Sequence, residues 1–180
     1  MKPSGGAEVL SSKSVYKGKI VQLRVDRVRE PSGVVAAREI VDHPGSVVVL
    51  PVLANGRVLL VRQYRHAVRE SLWELVAGGV KKGETPRRAA ARELQEETGY
   101  QGRKLKRLLD FYPSPGFLSE RMFLVEARGL RRAKSTPEPD EFIEVGAFRR
   151  KELQAMLRQG RIKDGKTLVG LLWLLGPNKP

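Results

Sequence analysis

Residues 78–100 read GGVKKGETPRRAAARELQEETGY. The composition from Pro86 to Thr98 predicts a helix. Pro86 suits a first helical turn, Ala89, Ala90, Ala91 and Leu94 favour helix, and Gly99 is a natural stop. On that helix Glu93 and Glu97 lie one turn apart on one face, where like charges repel by roughly 0.2–0.5 kcal/mol. They also stand in the last turn, where the helix dipole disfavours anions. Arg92 can offset part of this by pairing with Glu96 at the same spacing. The carboxylates of Glu93, Glu96 and Glu97 therefore cost stability unless a cation sits beside them. Ligands that offer only oxygen point to a hard ion, Mg²⁺ or Mn²⁺, rather than to zinc.

The rest of the chain sets bounds. A chain of 180 residues with 41% hydrophobic content is long enough for one domain with a sizeable core. With no Cys there is no disulfide framework, thiolate metal site or cysteine nucleophile, and two His leave little room for a His-based zinc site. No apolar run approaches the roughly 20 residues of a membrane span. The first residues lack the apolar segment of a signal peptide. The expectation is a soluble cytoplasmic protein with no membrane partner. The net charge of +14 invites a nucleic-acid reading. The basic residues are scattered, however, in clusters such as Arg103, Lys104, Lys106 and Arg107, or Arg149, Arg150 and Lys151, without interleaved aromatics. A basic surface that attracts an anionic substrate is the preferred meaning.

Alternating and apolar runs place the other elements. Residues 1–14 are expected to be a flexible N-terminus. Val15–Val28 and Val34–Val41 read as strands joined by a Pro31-Ser32-Gly33 turn. Ser46–Leu53 reads as a buried strand, and Asn55-Gly56 is a hairpin signal leading into Arg57–Gln63. Further strands are expected over Leu72–Val76, Leu105–Tyr112, Met122–Ala127 and Phe142–Phe148, with helices over Glu152–Gln159 and Lys166–Leu175. Mixed strands with few helices give an α+β fold.

The opening stretch also resembles a known signature. Gly78, five residues, Glu84, seven residues, then Arg92-Glu93-Leu94-x-Glu96-Glu97-x-Gly99-Tyr100 matches the box of the Nudix hydrolases at every fixed position, with Tyr100 where an aliphatic residue is usual. A P-loop reading of Gly78 to Gly83 fails, because Glu84 and Thr85 replace the required Lys and Ser/Thr. The flanks VRQYRHAVRESLWELVAGG, YPSPGFLSERMFLVEA and DEFIEV resemble the ADP-ribose pyrophosphatase branch, in which a Pro follows the last box Gly by about this distance; here Pro115 lies sixteen residues after Gly99. The resemblance runs from about Val15 to Leu175.

It implies a Nudix fold: a mixed β-sheet sandwiched between α-helices, with an N-terminal antiparallel strand pair. A single Nudix hydrolase domain would cover 15–176, residues 15–41 forming strands that can serve as a dimerisation element. The carbonyl of Ala77 and the carboxylates of Glu93, Glu96 and Glu97 would bind two or three Mg²⁺ ions, or Mn²⁺. Gly78, Glu84, Arg92 and Gly99 would support the box, Glu84 and Arg92 as a pair. Arg38 and Arg65 resemble substrate-contacting arginines, and Arg38 could act across a homodimer interface. Glu141 or Glu138, in the acidic stretch 136–141, would bind metal or position water; in some relatives a box glutamate activates the water instead. The implied reaction is metal-dependent hydrolysis of a nucleoside diphosphate sugar, foremost ADP-ribose to AMP and ribose 5-phosphate. The alternatives are a broader nucleotide-sugar or dinucleotide pyrophosphatase and, in another class, an RNA-binding or RNA 5′-end-processing protein.

Overall fold

The structure is a computed structural model that describes residues 6–135 and 142–176. The strand reading of SVVVLP proves to be the key to the fold. This segment is β4 (Ser46–Pro51), and all its residues are buried. It lies inside a four-stranded mixed sheet with β7 (Val76–Gly79), β8 (Tyr100–Phe111) and β9 (Met122–Arg132), in the order β7-β4-β9-β8. β4 runs parallel to β9 and antiparallel to β7. Alternate side chains of a strand face opposite ways, and β4 uses both faces for burial. Val47 and Val49 pack with Ala89, Ala90 and Leu94 of helix α1 (Pro86–Thr98). Val48 and Leu50 pack with Leu153 and Met156 of α2 (Arg150–Arg158) and with Leu171 and Leu174 of α3 (Gly165–Leu175). Helices thus cover both faces of the sheet, the sandwich expected from sequence.

A second, antiparallel sheet has the order β10-β5-β6, from β5 (Val58–Arg65), β6 (Glu70–Glu74) and β10 (Ile143–Phe148). The expected strand over 72–76 is therefore two strands. Leu75 separates β6 from β7, and the two join different sheets. This switch delivers Glu74 to one sheet and the glycines of the box to the other. Trp73 packs edge-on against Phe148, with ring centroids 4.9 Å apart, so it belongs to the core rather than to a stacking platform.

The third sheet is N-terminal. β2 (Gln22–Arg29) and β3 (Val35–Asp42) form the expected antiparallel pair. β1 (Glu8–Lys17) adds a third strand on the outer side of β2. This corrects the expectation of a flexible stretch through residue 14: residues 8–14 are strand. All ten residues of β1 are exposed, so it carries no burial pattern to read from sequence; ladder hydrogen bonds to β2 define it instead. By its internal contacts the chain forms two compact units. One comprises the described residues to Gly45 together with Tyr112–Arg121; the other comprises Ser46–Phe111 and the described residues from Met122 onward. In the first, the segment carrying Ser114-Pro115-Gly116 is bonded to the end of β3: the Val41 amide donates to the Phe117 carbonyl at 2.8 Å and the Ser119 amide to the Val41 carbonyl at 3.0 Å.

Candidate functional site

Local sequence fixes α1 at both ends. The Thr85 hydroxyl accepts the Arg88 amide at 3.3 Å, and Pro86 opens the first turn. Gly99 adopts φ 68°, a left-handed conformation that favours glycine, and its amide donates to the Gln95 carbonyl at 2.9 Å. Ala90, Leu94 and Glu97 fall on one helical stripe and all are buried. Glu97 is thus an acid on the core-facing side of the last turn, only 7% exposed.

Arg92 gathers the other carboxylates. Its Nε and Nη2 donate to the two oxygens of Glu84 at 3.1 and 3.0 Å. Its Nη1 donates to Glu93 at 2.6 Å and to Glu96 at 3.0 Å, and Nη2 also reaches the Gly79 carbonyl at 3.0 Å. Glu84 accepts the Lys81 amide at 3.1 Å as well, which ties the glycine loop to the helix. The Arg92 hydrogen bonds, opposed by burial, hold the Glu84 carboxyl below its usual range; Glu84 in turn leads the contacts that keep the guanidinium protonated.

At Gly78 the Glu93 carboxylate occupies the space that a Cβ would take, so in this side-chain arrangement Glu93 lies directly against the β7 backbone. Ala77, one residue earlier, pairs with Val48 of β4.

Among the described residues, no three His, Asp or Glu side chains stand together as a ready metal site. Glu93 and Glu96 are turned onto Arg92. The donor set nevertheless fits a hard cation: it is oxygen only, and rotation of two flexible side chains away from Arg92 would free carboxylates beside Glu97.

Arg65, at the end of β5, is engaged more deeply than its sequence position shows. Its Nε and Nη2 donate to the two oxygens of Glu74 at 2.8 and 2.7 Å; Nη1 takes part in neither bond. The Glu74 side chain is 1% exposed. Lys166 adds a third donor to Glu74 at 2.5 Å and also reaches Asp164 at 2.8 Å. The bonds to Glu74 raise the Arg65 pKa against the cost of burial, and the charges of Glu97 and Asp164 add to this, which puts Arg65 in the field of the box. Sequence reading missed Glu74, Asp164 and Lys166. The signal available was Glu74 itself, an acid in the apolar run LWELV, which demands cationic partners when buried.

Arg38 lies on β3 in the N-terminal unit, where it donates to Glu30 and, at 3.2 Å, to the Ala37 carbonyl. Glu138 and Glu141 lie outside the described residues.

Burial pushes the Glu74 pKa up, but hydrogen bonds from Arg65 and the charge and hydrogen bond of Lys166 outweigh it, so the net shift is below the ordinary glutamate value of 4.5. Glu84 shifts the same way. A carboxylate with a depressed folded-state pKa contributes stability above its unfolded value and loses it as pH falls through the folded value. The thermal midpoint should therefore stay level from pH 7 to about 5 and fall below that. Glu74→Gln should start lower at pH 7 and fall less steeply in acid; parallel curves for the two proteins would contradict the assignment.

Two sequence-family profiles match the chain. The NUDIX domain covers residues 42–168, and the nucleoside diphosphate sugar hydrolase N-terminal domain covers residues 8–41. The chain is 36% identical over 169 residues to the ADP-ribose pyrophosphatase of Bacillus subtilis (strain 168), spanning 93% of this chain and 91% of the relative. It is also 36% identical over 169 residues to the methanol dehydrogenase activator of Bacillus methanolicus, with the same coverage. Among solved structures, the crystal structure of an ADP compounds hydrolase superposes with a TM-score of 0.82 at 19% identity, covering 92% of this chain and 90% of that one.

Proposed function

This chain belongs to the Nudix hydrolase family, and from that premise we propose that it hydrolyses the diphosphate bond of ADP-ribose, releasing AMP and ribose 5-phosphate. The observation that carries the reading is the complete box with its internal bonding: Glu84, Glu93 and Glu96 held around Arg92, and Glu97 buried one turn on from Glu93. The N-terminal profile and the ADP-ribose pyrophosphatase relative support the choice of a nucleotide sugar.

Under this reading Glu93, Glu96, Glu97 and the Ala77 carbonyl would hold two or three Mg²⁺ or Mn²⁺ ions. Bound divalent ions neutralise diphosphate charge and lower the pKa of bound water. The residues of the chain supply the rest. Arg65 presents Nη1 to a phosphate oxygen, since guanidinium nitrogens match that geometry. A carboxylate, from Glu141, Glu138 or the box itself, orients and deprotonates the attacking water. In-line attack at one phosphorus then breaks the phosphoanhydride bond, with no covalent enzyme intermediate. Arg92 keeps Glu84 and the loop in place, through both Glu84 oxygens and the Gly79 carbonyl, so that the helix carboxylates would be free to turn to a cation. The reading also includes a cytoplasmic homodimer joined through residues 15–41, with Arg38 contacting substrate.

Three arginines of the β8–β9 ladder are already engaged within the protein, which weakens an RNA-directed reading of that face. Arg107 is committed to Asp110 and to the face of Phe123, Arg128 to Glu126, and Arg132 stacks over Tyr100. The test is hydrolysis of a panel with Mg²⁺: ADP-ribose, ADP-glucose, NADH, a diadenosine polyphosphate and a 5′-triphosphorylated RNA. Preferential release of AMP from ADP-ribose is expected. Turnover mainly of RNA, or of another sugar nucleotide, would overturn the substrate assignment and leave the box chemistry standing.

A further inference from the structure

We propose that Lys166 of α3 is a positioning residue for Arg65, acting through Glu74, so that the Nη1 end of the guanidinium is presented in one orientation to an anionic substrate. The proposal rests on the reading above that Arg65 touches the diphosphate.

The geometry is a closed ring of bonds. Glu74 Oε1 accepts Arg65 Nε, and Oε2 accepts both Arg65 Nη2 and Lys166 Nζ. Three donors from two elements therefore fix the plane of the Glu74 carboxylate, which in turn fixes the plane of the guanidinium. Lys166 is itself held, because its Nζ also donates to Asp164 Oδ1 at 2.8 Å. Asp164 Oδ2 accepts the Thr167 amide at 3.0 Å, capping α3. Thr167 Oγ1 accepts the Leu75 amide at 2.7 Å, and Leu75 is the residue that follows Glu74. The path from Glu74 through Lys166, Asp164 and Thr167 thus returns to the chain one residue away.

Every member of this ring is buried or nearly so, and Arg65 is attached to it through Glu74. The Lys166 side chain is 11% exposed and Asp164 16%, and Thr167 is fully buried. A lysine in that setting has given up the mobility of its four-carbon stem. Arg65, by contrast, keeps 39% of its side chain accessible while Glu97 adds to the field around it. The ring accordingly holds one side of the arginine and leaves the other side to a ligand. Pre-setting a long side chain removes the ordering cost otherwise met when the ligand binds.

The test is steady-state hydrolysis of ADP-ribose at saturating Mg²⁺ by Lys166→Met, Lys166→Gln and Lys166→Arg, with thermal midpoints measured beside it. Lys166→Met should raise KM about tenfold, the scale of one weakened charge-assisted hydrogen bond, and leave kcat within about twofold. Lys166→Arg should recover most of the loss, and Lys166→Gln, which keeps one donor, serves if the Met variant does not fold. A merely structural lysine would lower the midpoint and the yield of active protein with KM unchanged, and that result overturns the proposal. Arg65→Lys separates the two levels of the argument. If it binds substrate as the parent does, the reading of Arg65 fails; if its KM rises while those of the Lys166 variants do not, only the positioning role fails.

Discussion

Glu97→Gln is expected to keep the fold and remove most of the activity, lowering kcat/KM on ADP-ribose by about 10³-fold, or roughly 4 kcal/mol of transition-state stabilisation. Glutamine has the same shape, so the buried stripe of Ala90, Leu94 and residue 97 should repack without a cavity. The amide is a poor ligand for a hard cation, because it replaces a charged oxygen with a neutral one. Removing a buried negative charge from the last turn of a helix relieves an unfavourable contact with the helix dipole but also removes a charge that favours the Arg65 guanidinium. The thermal midpoint of the variant should hence stay close to that of the parent in metal-free buffer. Turnover close to the parent's would sink the assignment of Glu97 to the metal site.

The second large effect concerns stability. Arg92→Met deletes the cation shared by Glu84, Glu93 and Glu96 and the donor to the Gly79 carbonyl. The side chains concerned are at most 27% exposed. Stripping one partner from such a cluster leaves uncompensated charge and costs about 3 kcal/mol, which for a chain of this length lowers the thermal midpoint by roughly 10 °C. Mg²⁺ should restore part of the loss, since it neutralises the same carboxylates, so the gap between variant and parent should narrow as Mg²⁺ is added. A midpoint unchanged in metal-free buffer would mean that solvent already neutralises the cluster.

These effects divide along a line that also separates what the sequence revealed from what it hid. The α1 site was legible because its chemistry is local. Thr85, Pro86 and Gly99 set the helix ends, and carboxylates at spacings of three and four must meet. The Glu84–Arg92 pair spans only eight residues. The Arg65 environment was not legible, because it is assembled across the β5–β6 pair and from α3, with Lys166 lying 92 residues from Glu74. Position alone favoured Arg65 as a substrate contact; the structure shows that most of its fork serves Glu74. β1 escaped for a different reason. With both faces exposed, its residues carry neither alternation nor an apolar run.

β4 has one more consequence. SVVVLP is apolar, uncharged and rich in β-branched residues, buried on both faces in the finished molecule. Its parallel partner β9 begins 76 residues after it, with Ser46 opposite Met122. During synthesis the segment emerges well before β9 and the helices that shield it, and for that interval it is a strand with open edges, the kind that pairs with a neighbouring chain and seeds aggregation. Pairing with β7, the nearer partner in sequence, offers early cover on one edge only. The net charge of +14 then acts between molecules: chains of one sign repel, and that repulsion guards the strand until its second edge is closed.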